Sequence, residues 1–392
     1  ARSFYVDMTV SVIAQDVIRK FGVQQNHILL LTGGKFYLLL PNSDESEYVL
    51  SMLEKEVEKQ FYQMFKGQIC LHLAWITIGA EGLENYSRSV TQMEEKLGMK
   101  KGQAFYHCLA QEEIWSEEAF IISHDIIKKN LCKSCKQELV DKDRDYCENC
   151  NHQTRMGRQL PSTKYIAYYD EEVTGTYHVY ADYWIGLYKE PPKDKAFLIE
   201  QINDTEIVEE LKGLPVKQRY MANHIPVKED GKIMSFGEIA GKSTGVSKLA
   251  VLKADVDNLG YIFADGLRRG KRHFGTISRV NTMSRLLEIF FSGYINQLLT
   301  SSKYKDVYSV FSGGDDLFLI GPWNLMPDLA VQIADDFREF VAGNPALTIS
   351  ATLSIFQPKE HVASMAEHSE EALKHVKNHS IPLLYPDKTG RN

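Results

Sequence analysis

Two stretches of this chain carry apolar patterns in the same order. Near the N-terminus, Ile28–Leu31 and Phe36–Leu40 flank Thr32-Gly33-Gly34, and Pro41 ends the run. Near the C-terminus, Tyr308–Phe311 and Leu317–Ile320 flank Ser312-Gly313-Gly314-Asp315-Asp316, and Gly321-Pro322 ends it. Short apolar runs joined by Gly-Gly predict a β-hairpin in each place. Downstream, Leu50, Leu53, Val57, Phe61 and Met64 recur at helical spacing, as do Leu329, Ile333, Phe337 and Val341. Alternating strands come next. Ile69, Leu71, Leu73 and Trp75 share one face of the first; Leu347, Ile349, Ala351 and Leu353 share one face of the second. A further helix follows in each copy, near 82–98 and 360–378. Each copy thus reads hairpin, helix, strand, helix, an internal repeat of long period.

The second copy has more in front of it. Leu249–Ala254 is a strand-like run, and Val280, Met283, Leu287, Phe290, Phe291 and Ile295 mark an amphipathic helix over about 276–300. Together these predict a β-α-β-β-α-β, ferredoxin-like order, an α+β fold with helices on one face of an antiparallel sheet. The first copy has a helical pattern near 6–21 but no strand before it. A sheet without its central strand leaves ladder groups unpaired, so the expectation is that the intact chain begins upstream, or that other residues complete the sheet. Residues 100–248 hold paired cysteines, aromatic strands such as Thr176–Tyr180 and a Pro191-Pro192 loop. The stretch 236–248 fails the P-loop spacing, with three residues between Gly237 and Gly241-Lys242-Ser243 where four are needed, and reads as a linker. The expected domains are 1–100, a degenerate first copy; 101–248, a zinc-containing linker domain; and 249–392, the second copy.

Composition adds bounds. The 392 residues are 44% hydrophobic and 25% charged, ordinary for a soluble globular protein, with room for several cores. No apolar run approaches the ~20 residues needed to span a bilayer, and no secretory signal is present, so a cytoplasmic location without membrane contact is expected. The net charge of −7 argues against a uniformly basic nucleic-acid binder. Local basic runs, Arg268-Arg269-Gly270-Lys271-Arg272 and Lys128-Lys129 through Lys136, read either as binding patches or as solvated loops.

Candidate chemistry concentrates in the second copy. Asp315 and Asp316 sit at the hairpin turn, where glycines allow tight turning and close ligand approach. The strand-like run at 249–254 ends in Asp255-Val256-Asp257-Asn258. Carboxylates at a strand end and on a neighbouring hairpin suit Mg²⁺ or Mn²⁺ shared with a polyphosphate. Asp255, Asp315 and Asp316 are therefore the candidate catalytic metal ligands. In the first copy Lys35 and Phe36 replace the aspartates, so its turn is not expected to hold Mg²⁺. Gly33 and Gly34 either let a nucleotide lie against the backbone or only make the turn. Among six cysteines, Cys132, Cys135, Cys147 and Cys150 form two Cys-x-x-Cys pairs eleven residues apart. That spacing fits a structural Zn²⁺ with no open coordination position; a pair of disulfides is the alternative. Cys70 and Cys108, in apolar surroundings, read as buried small hydrophobes.

Two palm-like repeats, one with Gly-Gly-Asp-Asp and one degenerate, with a four-cysteine module between them, resemble the large catalytic subunit of type III CRISPR effector complexes, most closely the type III-A (Csm) branch. The second palm is also similar to the wider group of nucleotide cyclases. The resemblance covers almost all of the chain and is most specific at Asp255-Val256-Asp257-Asn258-Leu259-Gly260 and Phe311–Phe318. It implies synthesis of cyclic 3′–5′ oligoadenylates from ATP, in a complex with guide RNA and partner subunits that target RNA switches on. Carried over, Asp255 with Asp315 or Asp316 would hold Mg²⁺; Val256, Asp257, Asn258, Ser312, Gly313 and Gly314 would face the nucleotide, with Gly33 and Gly34 opposite. Lys377 matches a phosphate-binding lysine. There the chain departs from the family pattern, because Gly390-Arg391-Asn392 follows only after an intervening stretch. His124-Asp125 reads as incidental, so DNA cleavage is not assigned to this chain. A non-catalytic scaffold and a stand-alone cyclic dinucleotide synthase are the alternatives; the intact acids disfavour the first, the degenerate copy and zinc insert the second.

Overall fold

In a computed structural model the described residues are 2–32, 34–65, 67–110, 131–136, 138–141, 143–269 and 272–379. Gly33, His124-Asp125, Lys128-Lys129, the Gly270-Lys271 tip of the basic run and Gly390-Arg391-Asn392 lie outside them. The chain divides into two compact units, residues 1–219 with 260–285 and residues 220–259 with 286–392. Among the described residues no helix is long and apolar enough to cross a membrane.

The first unit opens with helix Arg2–Lys20, buried continuously from Met8 to Ile18. A helix covered on all sides must satisfy its polar side chains internally. Thr9 donates to the Tyr5 carbonyl at 2.8 Å, and Asp16 accepts from the Tyr183 hydroxyl at 2.9 Å. Strands Ile28–Thr32 and Lys35–Leu38 form the expected hairpin, but as a two-stranded sheet. Helices Ser46–Phe65 and Tyr86–Lys101 follow, the former burying Leu53, Val57 and Phe61. The strand expected around Ile69–Trp75 does not form. In the second unit the corresponding strand pairs only with a central strand. Among the described residues the first copy has no such strand, so the alternating segment has nothing to ladder onto, although Leu73 is still buried.

The same unit contains a five-stranded sheet that pattern reading found only in part. Its order is Tyr177–Tyr180, Tyr183–Tyr188, Tyr165–Tyr169, Leu198–Ile202, Val216–Arg219, with only the last pair parallel. The central strand is buried on both faces, so its sequence Tyr-Ile-Ala-Tyr-Tyr shows no alternation. Glu200 is fully buried in the next strand and is held by Lys217 at 2.7 Å and Arg219 at 2.9 Å.

The second unit is a four-stranded antiparallel sheet ordered Tyr308–Gly313, Asp316–Pro322, Leu249–Val256, Ile349–Phe356. Its chain order is strand Leu249–Val256, helix, hairpin, helix Met326–Phe340, strand Ile349–Phe356. Helices cover both faces, where one was expected. Leu249, Val251, Phe318 and Ile320 cluster with Ile239, Ala240 and Met365 on one side. The alternate set, Ala250, Leu252, Ala254, Leu317 and Leu319, is buried as well, and Met326–Phe340 packs on it. The stretch read as a linker is part of this core. Ser235 and Glu238 make a capping box for helix Phe236–Ala240, which buries Ile239 and Ala240 completely. Five residues are too few to show helical periodicity, which is why the pattern missed it. On the edge strand Leu353 and Ile355 are exposed while Ser354 is buried.

The Glu200 cluster gives a stability test. Burial alone would raise the Glu200 pKa, but Arg219 and Lys217 outweigh it and hold the carboxyl at about 2. A pKa depressed in the folded state stabilises the fold above the ordinary carboxylate pKa of about 4.3, and that stabilisation is lost as the pH falls toward the folded-state value. Glu200→Gln is expected to cost about 3 kcal/mol in urea unfolding at neutral pH, because it takes the carboxylate from Lys217 and leaves Arg219 with Asp7 alone beside a buried amide. The deficit relative to wild type should shrink steadily below about pH 4; a deficit that stays constant into acid would contradict the ion-pair account.

Candidate functional site

The site is built where the central strand Leu249–Val256 ends. Hydrogen bonding continues to the hairpin up to Asp255, which lies directly opposite Asp316. Side chains directly opposite on antiparallel strands have Cβ atoms about 4.5–5.5 Å apart and share a face. The Val256 N–H donates to the Asp315 carbonyl at 3.0 Å, so the backbone of the turn is tied to the same strand end. Ser350 of the edge strand lies opposite Asp255 on the other side. The two acidic stretches singled out in the sequence thus come from adjacent strands.

Each of the paired acids has an ammonium partner. Lys253 donates to both oxygens of Asp316, at 2.6 and 2.5 Å, and stands 3.7 Å from Glu370. Lys377, near the end of helix Val362–His379, is hydrogen-bonded to Asp255 and reaches the Val256 carbonyl at 3.2 Å. Burial pushes the Asp316 carboxyl up to about 6; Lys253 opposes the shift, and the charges of Asp255 and Asp315 add to it. Asp255 and Asp315 thus both lie in electrostatic range of Asp316. Asp257 turns away from the pair, accepting from the Thr348 hydroxyl at 2.7 Å while its own N–H bonds the Thr348 carbonyl at 2.8 Å. Asn258 takes the left-handed conformation, φ +55°, which asparagine tolerates better than most residues.

The turn is closely packed. Gly314 has φ +67°, and a Cβ at Gly313 would lie 3.1 Å from the Ser292 hydroxyl oxygen. Ser312 donates to the Phe291 carbonyl at 2.6 Å. In the first copy Gly34 has φ +74° and Lys35 pairs with Glu94 at 2.8 Å, so a cation stands where the second copy has carboxylates. Lys253 was missed in the sequence because it lies inside an apolar run; a lone lysine there, two residues before an acid, was the available signal.

The four cysteines converge. One ligand atom from each of Cys132, Cys135, Cys147 and Cys150 lies within 4.8 Å of all the others, and none of the four is joined in a disulfide. A tetrahedral zinc with Zn–S of about 2.3 Å sets its sulfurs about 3.8 Å apart; Cys135 and Cys147 are 3.9 Å apart. Burial disfavours the Cys132 thiolate, but the N–H groups of Cys135, Cys147 and Ser134 outweigh it and hold the thiol at about 6. The donor set and spacing fit a structural zinc. Cys108 is buried as expected, and Cys70 only half-buried.

Two family models match parts of this chain. A family model described as Cas10/Cmr2, second palm domain, matches residues 248–381, and one described as Csm1 subunit domain B matches residues 1–118. The chain belongs to the Cas10/Csm1 family. Curated Cas10/Csm1 relatives, named CRISPR system single-strand-specific deoxyribonuclease (subtype III-A), include those of Methanocaldococcus jannaschii, 27% identical over 447 residues, and Enterococcus italicus, 26% over 411. These alignments cover 99% of this chain but 53% and 50% of the relatives, so the chain spans about half the length of the curated relatives it matches. Solved Csm1-Csm4 cassettes share the fold. The apo cassette has a TM-score of 0.78 at 19% identity, covering 97% of this chain and 49% of that one. A cassette in complex with cA4 has a TM-score of 0.76 at 18% identity, with 97% and 49% covered. The Cas10/Cmr2 second-palm match takes in Asp255, Asp315, Asp316 and Lys377.

Proposed function

We propose that this chain is the nucleotidyl-transfer part of a type III-A effector subunit, joining ATP into cyclic 3′–5′ oligoadenylates in a complex that guide RNA directs and target RNA activates. The observation that carries the reading is the register that sets Asp255 opposite Asp316, with Asp315 backbone-bonded to Val256. Similar solved structures, Csm1-Csm4 cassettes in complex with one ATP, pppApA, cA3 and cA4, support it.

In this reading Asp255, Asp315 and Asp316 hold Mg²⁺ or Mn²⁺. When bound, the metal supplies a lowered pKa for the attacking hydroxyl and charge neutralisation for the polyphosphate. The chain's own groups do the positioning. Lys377 sits at the strand end where a phosphate would meet it, and the Asp257-Asn258 and Ser312-Gly313-Gly314 backbones border the nucleotide. Lys253 keeps Asp316 oriented and ionised. Gly33 and Gly34 of the first copy serve a second nucleotide. The strand order of the second unit, with the edge strand beside the first strand and the hairpin on its other side, supports a ferredoxin-like palm there, and the first copy is its degenerate counterpart. Residues 1–100, 101–248 and 249–392 are the proposed domains, with Zn²⁺ on Cys132, Cys135, Cys147 and Cys150 as a staple of the middle one. Csm4-like and other effector subunits are the proposed protein partners, and the cytoplasm the proposed location.

Two outcomes follow. In the assembled, RNA-bound complex with Mg²⁺, replacing Asp315 and Asp316 together by alanine should reduce ATP turnover by at least about 100-fold while assembly is retained; turnover at the wild-type level refutes the assignment. Elemental analysis of reduced, folded protein should find about one zinc per chain, and a Cys132→Ser, Cys147→Ser double variant should lose it. Folded wild-type protein free of zinc refutes the staple.

A further inference from the structure

The acidic turn does not rest on its hairpin alone. The helix that precedes the acidic hairpin leaves α geometry for one π-helical segment, Ile289–Tyr294, directly after Glu288. Such π segments shift the hydrogen-bond ladder by one residue and recur at functional sites. Here the segment, with Glu288 before it, is bonded to the hairpin at Ser312 and Gly314. Ser312 donates its hydroxyl to the Phe291 carbonyl at 2.6 Å. Ser292, buried, donates to Glu288 Oε1 at 2.8 Å and lies 3.3 Å from the Ser312 carbonyl. Glu288 Oε2 accepts the Gly314 N–H at 2.9 Å.

Geometry narrows what Glu288 does. Its Oε1 accepts from Ser292 of the same helical run and its Oε2 from the Gly314 backbone of the turn. Gly313 is pressed against the same pair: a Cβ there would meet the Ser292 oxygen at 3.1 Å and Glu288 Oε1 at 4.0 Å. Gly314, held with φ +67°, is the residue immediately before Asp315. A displaced Gly314 amide would therefore re-aim the acidic pair, since Asp315 follows it directly and Asp316 comes next.

We infer that Glu288 and Ser292 are positioning residues for the Asp315-Asp316 turn, Glu288 acting through the Gly314 amide and Ser292 by locking Glu288 against the π segment. The inference rests on the nucleotidyl-transfer reading for its kinetic consequence, but the anchor itself is independent of turnover. A misplacement near one ångström at a site that works by positioning can cost about 100-fold.

The test uses the assembled, RNA-activated complex and ATP with Mg²⁺, and three variants. Glu288→Ala should lower kcat by about 10- to 100-fold with little change in KM for ATP. Ser292→Ala should fall between it and wild type. Glu288→Gln keeps an oxygen for the Gly314 N–H and can donate to Ser292, so it should recover to within a few-fold of wild type. Hydrogen exchange at residues 312–316 reads the same anchor without chemistry: the Gly314 amide should lose protection in Glu288→Ala and keep it in Glu288→Gln. Wild-type kcat and protection in Glu288→Ala would overturn the inference. So would Glu288→Gln as impaired as Glu288→Ala, because charge and not the amide acceptor would then be what matters. Should Glu288→Ala fail to assemble, unchanged kcat and protection in Ser292→Ala overturn it equally. A wild-type complex that leaves ATP untouched, with Gly314 protection still dependent on Glu288, would sink the functional reading and leave the anchor standing.

Discussion

Carboxylates on neighbouring strands at one register position repel each other, and the second unit is organised around offsetting that repulsion. Asp255 and Asp316 are brought together by the ladder between Leu249–Val256 and Asp316–Pro322, a pairing that buried apolar residues on both faces fix. A slip of one residue would send both acids to opposite faces along with the core. The acids are therefore obligatory neighbours once the core has formed. Lys253 and Lys377 meet that requirement from inside the sheet and from helix Val362–His379. Lysines fit this task because a compact ammonium on a flexible stem can leave one carboxylate for another anion or cede it to a cation.

The two copies show what the central strand contributes. Both make a Gly-Gly hairpin followed by a helix of similar pattern. Only the second, with Leu249–Val256 available, adds a hydrogen-bonded fourth strand. Local pattern specifies the hairpin; the strand at the far edge depends on a partner distant in sequence. The turns differ in charge in the same way. Lys35 pairs with Glu94 in the first copy, whereas Asp255 and Asp315 crowd Asp316 in the second.

Much of this was legible from residue order because the signals were local. The Gly-Gly tetrad, the helices of both copies and the two Cys-x-x-Cys knuckles each declare themselves within a short window. What escaped was set by tertiary context. The sheet around Tyr165–Tyr169 is buried on both faces and so has no period-2 signature. Helix Phe236–Ala240 is too short to show periodicity, though its Ser235/Glu238 capping box was readable. The alternation at Ile69–Trp75 has the right period without a partner, and that at Ile349–Phe356 leaves Leu353 and Ile355 exposed. At the site, the Asp255–Asp316 juxtaposition was expected from the pattern and Lys377 from the resemblance; the Lys253 counterion and the Glu288 anchor were not, since no spacing rule links residues on separate elements.

The central claim is that acids from two strands jointly chelate a divalent cation against a polyphosphate. Titrating Mn²⁺ into this chain with ATP present, and following free Mn²⁺ by electron paramagnetic resonance, measures that directly. The account predicts saturable binding that Asp255→Asn weakens roughly tenfold or more while the protein stays folded. Identical Mn²⁺ affinity in wild type and Asp255→Asn would contradict it.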